Sequence, residues 1–423
     1  MNTNSKHNSA TFINWKRYNK NGQIELTDFS SKDNFIIKGN NLSTLRSLVQ
    51  IYRGKIKLIC IDPPYNTGGN KFNYNDNFGH SAWLTFMEDR LVVARDLLTE
   101  DGIIYIHCDD RENAYLKVLC DEIFGREHFI TNLIWRKKAG GANDSHDIAV
   151  EHEYILAYRK NKNGVYKIPL DAKTIASYKH EDEKLKIHGK YKIKDLNDPS
   201  LSDSSGLHFD IKCPDGTVLK ANEHQWKCNK KTFEKRLKDN RIIFKKVKNR
   251  WKVYYKIYLN EQRGKLNYNT KGKLIPRGRN LSSILYNVAL NKDGSTDIKN
   301  LFAGEKPFSY PKPVKLLKIL IQSASKSGDI VLDFFAGSGT TAQAVLELAE
   351  SGKQRQFILI EQMDYINDVT VPRVVKSLNL YNSKDSFVYC ELQQDEKSNL
   401  LRINRGVSSK SKTFTKKFYT LKK

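Results

Sequence analysis

The run Asp62-Pro63-Pro64-Tyr65-Asn66-Thr67-Gly68 sets a carboxylate, two prolines and an aromatic ring directly after an apolar stretch. An exocyclic amine on a nucleobase is a weak nucleophile, because its lone pair is delocalised into the ring. Acceptors on its N–H groups return electron density as the nitrogen becomes tetrahedral. Asp62 supplies a carboxylate for that task. Pro63 and Pro64 fix φ, remove two backbone donors and leave carbonyls aimed at a ligand. Tyr65 offers a face on which a base can stack, worth about 1 to 3 kcal/mol. Taken alone, the tetrapeptide also reads as a rigid turn after a strand. A second run, Ile330-Val331-Leu332-Asp333-Phe334-Phe335-Ala336-Gly337-Ser338-Gly339-Thr340-Thr341-Ala342, is an apolar strand, a glycine turn and a helix start. It matches the G-x-G-x-x-A form of a nucleotide-binding turn. A further strand, 357–360, ends in Glu361, placed to accept hydrogen bonds from ribose hydroxyls. The pair of features favours an adenosine-containing cofactor; the loop alone does not separate NAD from S-adenosylmethionine.

The elements that must carry these residues alternate. Strands are expected at 34–37, 56–61 and 103–107. A helix at 42–52 lies between the first two, and a second, with Trp83, Phe86, Met87, Leu91, Ala94, Leu97 and Leu98 at helical spacing, stops near Gly102. A helix at 114–124 ends at Gly125, and strands at 130–135 and 153–158 follow. The rhythm resumes with a helix at 313–324, a strand at 330–332, a helix at 341–349 and the strand at 357–360. A mainly parallel sheet follows from this order. Between the two halves, 161–300 breaks the rhythm with Lys and Arg interleaved with aromatics and reads as an inserted domain. The expected organisation is a flexible N-terminal segment at 1–33, one half of the sheet domain at 34–160, the insert at 161–300, the second half at 301–395 and a mobile basic tail at 396–423.

The formal net charge is +25, from 72 Lys+Arg against 47 Asp+Glu. Coding bias in an A+T-rich genome would enrich Glu as well as Lys, so the imbalance points to a polyanionic partner. The N-terminal residues lack the apolar core of a signal peptide, and no apolar run approaches the roughly 20 residues that span a bilayer. A soluble, cytoplasmic protein with no membrane association is expected. The six cysteines form no Cys-x-x-Cys pair and are expected to be reduced and buried. His208, Cys213, His224 and Cys228 fit no common zinc spacing, so no metal is assigned.

With these runs in hand, the sequence resembles the amino-methyltransferases of DNA, in the class whose catalytic motif precedes the cofactor motif. The resemblance also takes in Trp83-x-x-x-Met87-x-x-Arg90-Leu91, Asp101-Gly102-Ile103-Ile104 with Asp109-Asp110, and Lys312-Pro313. In detail it is most similar to the modification subunits of type III restriction systems. It implies an α/β, Rossmann-like methyltransferase fold with a doubly wound sheet, a permuted motif order and an inserted target-recognition domain at 161–300. It further implies that Asp62, Pro63, Pro64 and Tyr65 bind and activate a flipped adenine. Asp333, Phe335, Gly337, Gly339, Thr340, Glu361 and Lys312 would surround S-adenosylmethionine. Asn40 would contact the cofactor's adenine, although Gly39-Asn40-Asn41 has Asn where many relatives carry an acid. Asp rather than Ser at the first catalytic position argues for adenine N6. Within the insert, Lys245, Lys246, Arg250 and Arg277 are the expected DNA contacts. The partners implied are double-stranded DNA and a helicase-nuclease restriction subunit, with a homodimer also open. Two alternatives stand beside this: cytosine-N4 methylation, and a catalytically silent DNA-binding subunit. A dehydrogenase is excluded because Asp-Pro-Pro-Tyr has no role in hydride transfer.

Overall fold

A run such as Ile56-Lys57-Leu58-Ile59-Cys60-Ile61, buried at every residue, belongs in the middle of a sheet covered on both faces. The computed structural model places it there. It describes residues 11–68, 78–140, 148–202, 204–269, 272–350 and 352–393. The chain divides into two units, 1–166 with 281–423 and 167–280.

The larger unit is built on an 11-stranded sheet. Its elements run β1 (Phe12–Asn19), β2 (Gly22–Ile24), β3 (Asn34–Lys38), α1 (Asn41–Tyr52), β4 (Ile56–Ile61), α2 (His80–Leu97), β5 (Leu98–Cys108), α3 (Asn113–Phe124), β6 (Phe129–Arg136) and β7 (His152–Arg159). After the insert come β8 (Ile284–Leu285), α4 (Asn291–Leu301), α5 (Val314–Ala324), β9 (Ile330–Asp333), α6 (Thr340–Glu350), β10 (Gln356–Glu361), α7 (Val371–Leu380) and β11 (Phe387–Leu392). Spatial order is β8-β6-β7-β5-β4-β9-β10-β3-β11-β1-β2. The six strands from β5 to β11 are mutually parallel, and β7 and β1 run antiparallel to their neighbours. Alternation along β4 separates two cores. Leu58 and Cys60 pack with residues of α5, α6 and α7; Ile59 and Ile61 pack with residues of α1, α2 and α3.

The two halves of the chain meet between β4 and β9, where Val331 pairs with Leu58 and Leu332 with Ile59. From β4 the chain moves on to β5 on one side, and from β9 to β10 on the other. Such a divergence opens a crevice outside the carboxyl ends of the strands, the usual ligand site of an open α/β sheet. Both motif runs begin at that point.

The structure departs from the sequence reading in three places. Residues 11–33 are not a loose segment: β1 joins the sheet against β11, Tyr18 stacks on Phe387, and Arg17 Nη1 binds Asp33 Oδ1 at 2.7 Å. Residues 1–10 and 394–423, with the whole of the expected basic tail at 396–423, lie outside the described residues. The helix ending near Gly102 stops earlier, at Leu97, because β5 pairs with β4 from Leu98 and absorbs residues in a register shift between Ile56 and Leu58. The insert is also shorter than 161–300. Tyr166 N donates to Ser323 O at 2.7 Å, Leu281 packs on the sheet core, and α4 packs with α7, which ties both flanks to the larger unit.

The smaller unit, 167–280, holds a three-stranded antiparallel sheet of Ile242–Val247, Arg250–Tyr258 and Tyr191–Asp195, in that order. Its own core gathers Leu196, Phe209, Ile211, Trp226, Phe233 and Val253.

Candidate active site

Register across three strands decides which side chains share the rim. Ile61 pairs with Ile106, so Asp62 and His107 are the next residues on adjacent parallel strands. His107 pairs with Ile155 and Trp135 with Glu153, which puts Glu153 on the same face two residues on. Lys312 enters from the residues just before α5. Its Nζ lies 3.1 Å from Asp62 Oδ1 and 3.0 Å from Glu153 Oε2. It also donates to the Tyr65 hydroxyl at 2.8 Å, and that hydroxyl donates to Asp62 Oδ1 at 2.7 Å. Lys137 Nζ closes the group, 3.0 Å from Glu153 Oε1. Two carboxylates and two ammoniums thus form one neutral, mostly buried network. Burial would raise the Glu153 carboxyl, but the Lys312 and Lys137 ammoniums outweigh it and bring it down to about 2. Lys312 is held above the usual range: burial opposes its charge, and Asp62 and Glu153 more than compensate. Burial, reinforced by Asp62, pushes the Tyr65 phenol up.

The prolines do less uniform work than their types suggest. Trp83 is fully buried and its indole N–H needs an acceptor, which is the Pro64 carbonyl at 2.8 Å. That carbonyl therefore fastens the loop to α2 and is not aimed at a ligand, a correction to the sequence reading of Pro64. Asn66 has φ +58°; it donates to Glu112 Oε1 at 2.7 Å and accepts from Phe78 N at 2.8 Å.

On the β9 side, Gly337 and Gly339 have φ of +50° and +82°, conformations that disfavour a side chain. A Cβ on Gly339 would also stand 3.2 Å from Thr370 Cγ2. Glu361, at the end of β10, accepts Gly337 N at 2.9 Å, Gln362 N at 2.8 Å and Met363 N at 3.0 Å. Its carboxylate is fixed at the mouth of the loop. Asp333 accepts from Thr341 Oγ1 at 2.6 Å and Phe335 N at 3.1 Å, and burial lifts its carboxyl to about 7. Asn40 caps α1, its side chain accepting from Ser43 N at 3.2 Å. Thr340 accepts from Arg373 Nη1 at 2.8 Å. Arg373, from α7, is 0% exposed and also binds Ser338 Oγ at 2.6 Å, so a buried cation braces the loop from behind.

Two cavities meet at the rim. One, of about 150 Å³, is lined by Asp62, His107, Asp333, Phe335, Gly337 and Glu361, among others. The other, of about 390 Å³, is lined by Tyr65, Asp109, Arg111, Lys137, Glu153 and Lys306, among others. Asp62 and Lys312 border both. Glu153, Lys137, His107 and Arg373 did not stand out in the sequence. The one available signal was position: Glu153 opens and His107 nearly ends an apolar strand run.

In the smaller unit, Lys245, Lys246 and Arg250 gather on one hairpin, whose turn Lys248-Asn249 has φ of +49° and +62°. Strand alternation puts Lys245 and Arg250 on one face with Lys252, which stands directly opposite Lys245. Lys246 is on the other face, bound to Asp215 Oδ2 at 3.0 Å. Arg277 is apart from the hairpin turn, beside Tyr178. Among the described residues no group of three His, Cys, Asp or Glu could hold a metal ion, and no helix is long and apolar enough to cross a membrane.

Comparison with known proteins matches this architecture. The chain is 36% identical over 365 residues to the type III restriction-modification enzyme StyLTI Mod subunit of Salmonella typhimurium, covering 79% of this chain and 53% of that one. It is 32% identical to the probable type III HindVI Mod subunit of Haemophilus influenzae, covering 91% and 58%. The chain therefore spans little more than half the length of these relatives. The type II methyltransferase M.KpnI of Klebsiella pneumoniae is 30% identical and is covered over 84% of its length. A family model described as DNA methylase matches residues 56–371, from the first residue of β4 through the glycine loop to the start of α7. The chain belongs to the DNA methylase family.

Proposed function

We propose that this chain transfers a methyl group from S-adenosylmethionine to N6 of an adenine flipped out of double-stranded DNA. The observation that carries the reading is the meeting of the two cavities at Asp62. One holds the glycine loop and Glu361, the other the Tyr65 face and a cationic wall. Adenine rather than cytosine N4 rests on Asp at the first position of the loop. The relatives named as Mod subunits support a place in a restriction-modification system, with a restriction subunit as partner.

The residues of the smaller cavity fit the cofactor. Glu361 is fixed to receive ribose hydroxyls, Phe335 supplies an apolar face, and the glycines admit close approach. When bound, S-adenosylmethionine supplies an electrophilic methyl on a sulfonium. The protein's own part is the amine. Asp62 accepts one N–H and the Pro63 carbonyl accepts the other, raising electron density on nitrogen as it attacks. Tyr65, its hydroxyl tied to Asp62 and Lys312, keeps its ring in place for stacking. Lys312 is shared between Asp62 and Glu153. When the amine engages Asp62, Glu153 retains the ammonium, so it does not compete for the acceptor.

In the smaller unit, Lys245 and Arg250, with Lys252, would face phosphates, whereas Lys246 is held by Asp215. Phosphate contacts supply most of the affinity and help to offset the unstacking of the flipped base, a few kcal/mol. The test is transfer of labelled methyl to duplex DNA followed by nucleoside analysis. N6-methyladenine is the expected product. N4-methylcytosine would move the reading to the other amino base, and cofactor binding without transfer would leave a silent DNA-binding subunit. Co-purification with a helicase-nuclease subunit tests the partner.

A further inference from the structure

We propose that His107 reads the flipped base itself, donating a hydrogen bond to the ring nitrogen beside the target amine, N1 when the base is adenine. The inference rests on the methyltransferase reading and names a recognition residue that reading does not include.

His107 is 1% exposed, and among the described residues neither of its ring nitrogens has a hydrogen-bond partner. Buried polar groups are almost always paired, and leaving one unpaired is unfavourable. A buried imidazole with neither nitrogen paired, on a residue that lines a cavity, points to a partner that arrives with a ligand. The register brings it beside the chemistry, because Ile61 pairs with Ile106 and Asp62 and His107 follow on adjacent strands. Cys60 and Tyr105, the pair before, share a face, so the alternation puts Asp62 and His107 on that face too. Both line the cavity that reaches the glycine loop. His107 feels the charges of Lys312 and Asp62, the residues that border both cavities, so it stands where the two meet. Trp135 packs edge-on to the imidazole at 6.5 Å between centroids. β5 lies on the opposite side of β4 from β9, so His107 flanks Asp62 on the side away from the glycine loop.

The chemistry of the base completes the case. In adenine the carbon bearing the amine also bears N1, an acceptor; guanine and thymine present an N–H beside a carbonyl at the corresponding edge. A donor at His107 therefore favours a base that carries an amine and an adjacent acceptor. Burial, with Lys312 nearby, lowers the imidazole to about 4, so at neutral pH it keeps one N–H and carries no charge. A neutral donor suits the task, since an imidazolium at N1 would draw electron density out of the amine that must attack.

The experiment uses duplexes containing the sequence the enzyme methylates, with adenine, 1-deazaadenine or 7-deazaadenine at the target. Single-turnover transfer is measured for the wild type and for His107→Leu, with the thermal midpoint and cofactor affinity of both. Loss of one neutral hydrogen bond to substrate corresponds to roughly a tenfold change in rate. The wild type should slow by about that factor on 1-deazaadenine beyond whatever the variant shows, since the intrinsic effect of removing N1 is common to both proteins. On ordinary adenine, His107→Leu should slow by a similar factor. The 7-deaza penalty should be the same in both. Equal 1-deaza penalties in the two proteins would overturn the proposal. Should His107→Leu fail to fold, His107→Phe takes its place in the same comparison; for the wild type alone, transfer to 1-deazaadenine as fast as to adenine overturns the proposal. A wild type that methylates no adenine defeats the underlying reading instead, and the ordinary duplex shows this separately.

Discussion

The rim of the large sheet and the hairpin of the smaller unit both hold several charged side chains, but in opposite physical states. At the rim, Glu153 is buried and Lys312 mostly so, and they are bound to each other and to Asp62, Tyr65 and Lys137. On the hairpin, Lys245 and Arg250 are exposed, and Lys246 has a single ion pair in water. A charge taken out of water must be paired in a specific geometry, so each rim residue acts through its position. An exposed charge acts chiefly through its count, because a long-range attraction to phosphate depends little on which lysine supplies it. Substitutions at the rim should therefore have large, distinct effects, and those on the hairpin small, nearly interchangeable ones.

Asp62→Ala should show the largest effect. Removing an acceptor aimed at charge developing in the transition state costs about 3 to 4 kcal/mol, a hundredfold to a thousandfold in rate. Cofactor and DNA affinity should stay near wild type, since Lys312 keeps Glu153. Single-turnover transfer within about tenfold of wild type would show that the rim does not act by position.

Glu153→Gln should act on stability. Breaking a buried ion pair typically costs about 3 to 5 kcal/mol, and the lower end is expected because Lys137 stays partly in water. The pH dependence has a definite sign. The folded carboxyl is lowered from 4.5 to about 2, so its contribution is full above about pH 4.5 and is lost as pH falls toward 2. Urea midpoints of the wild type should decline more across that window than those of the variant. Parallel curves would refute the lowered carboxyl. Glu361→Ala comes next, weakening S-adenosylmethionine binding by about 1 to 3 kcal/mol through loss of a charge-assisted hydrogen bond. Calorimetry should show that loss, and the thermal midpoint should fall as well, because the Gly337, Gln362 and Met363 N–H groups lose their acceptor.

The same contrast explains what could be read without a structure. Asp62 to Tyr65 and the loop from Asp333 to Thr340 are contiguous, and each sits after an apolar strand, so their chemistry is visible in one stretch of chain. The parallel sheet and its βαβ rhythm were legible for the same reason. Glu153, Lys137 and His107 join the rim only through the register of β5, β6 and β7, and no local spacing encodes a register. The engagement of Pro64 depends on where one indole N–H falls. β1 escaped because Asn14, Lys16 and Arg17 interrupt its apolar pattern, as suits a strand near a sheet edge. In the insert, composition pointed to a polyanion, but which lysine is neutralised depends on Asp215, remote in sequence from Lys246.

The smallest predicted effect tests the hairpin's side of the comparison. Each phosphate neutralised by a basic side chain contributes a slope of about −0.9 to log K against log salt. If Lys245 and Arg250 each meet one phosphate, Lys245→Ala and Arg250→Ala should each flatten that slope by about 0.9, and the double variant by about twice that. Lys246 differs because Asp215 stands 3.0 Å away and Trp251 Nε1 also binds Asp215 at 2.7 Å. Its charge is largely compensated before DNA arrives, so Lys246→Ala should change the slope by well under one unit. Asp215→Ala, by the same reasoning, should steepen the slope by releasing Lys246 toward DNA. Gel-shift affinities for one duplex across a salt series, with the proteins' thermal midpoints as a folding control, measure all five. Equal slopes for the Lys245, Arg250 and Lys246 variants would show that Asp215 does not distinguish them. Slopes unchanged in every variant would place the phosphate contacts elsewhere, and the excess of positive charge would then act from surfaces other than this hairpin.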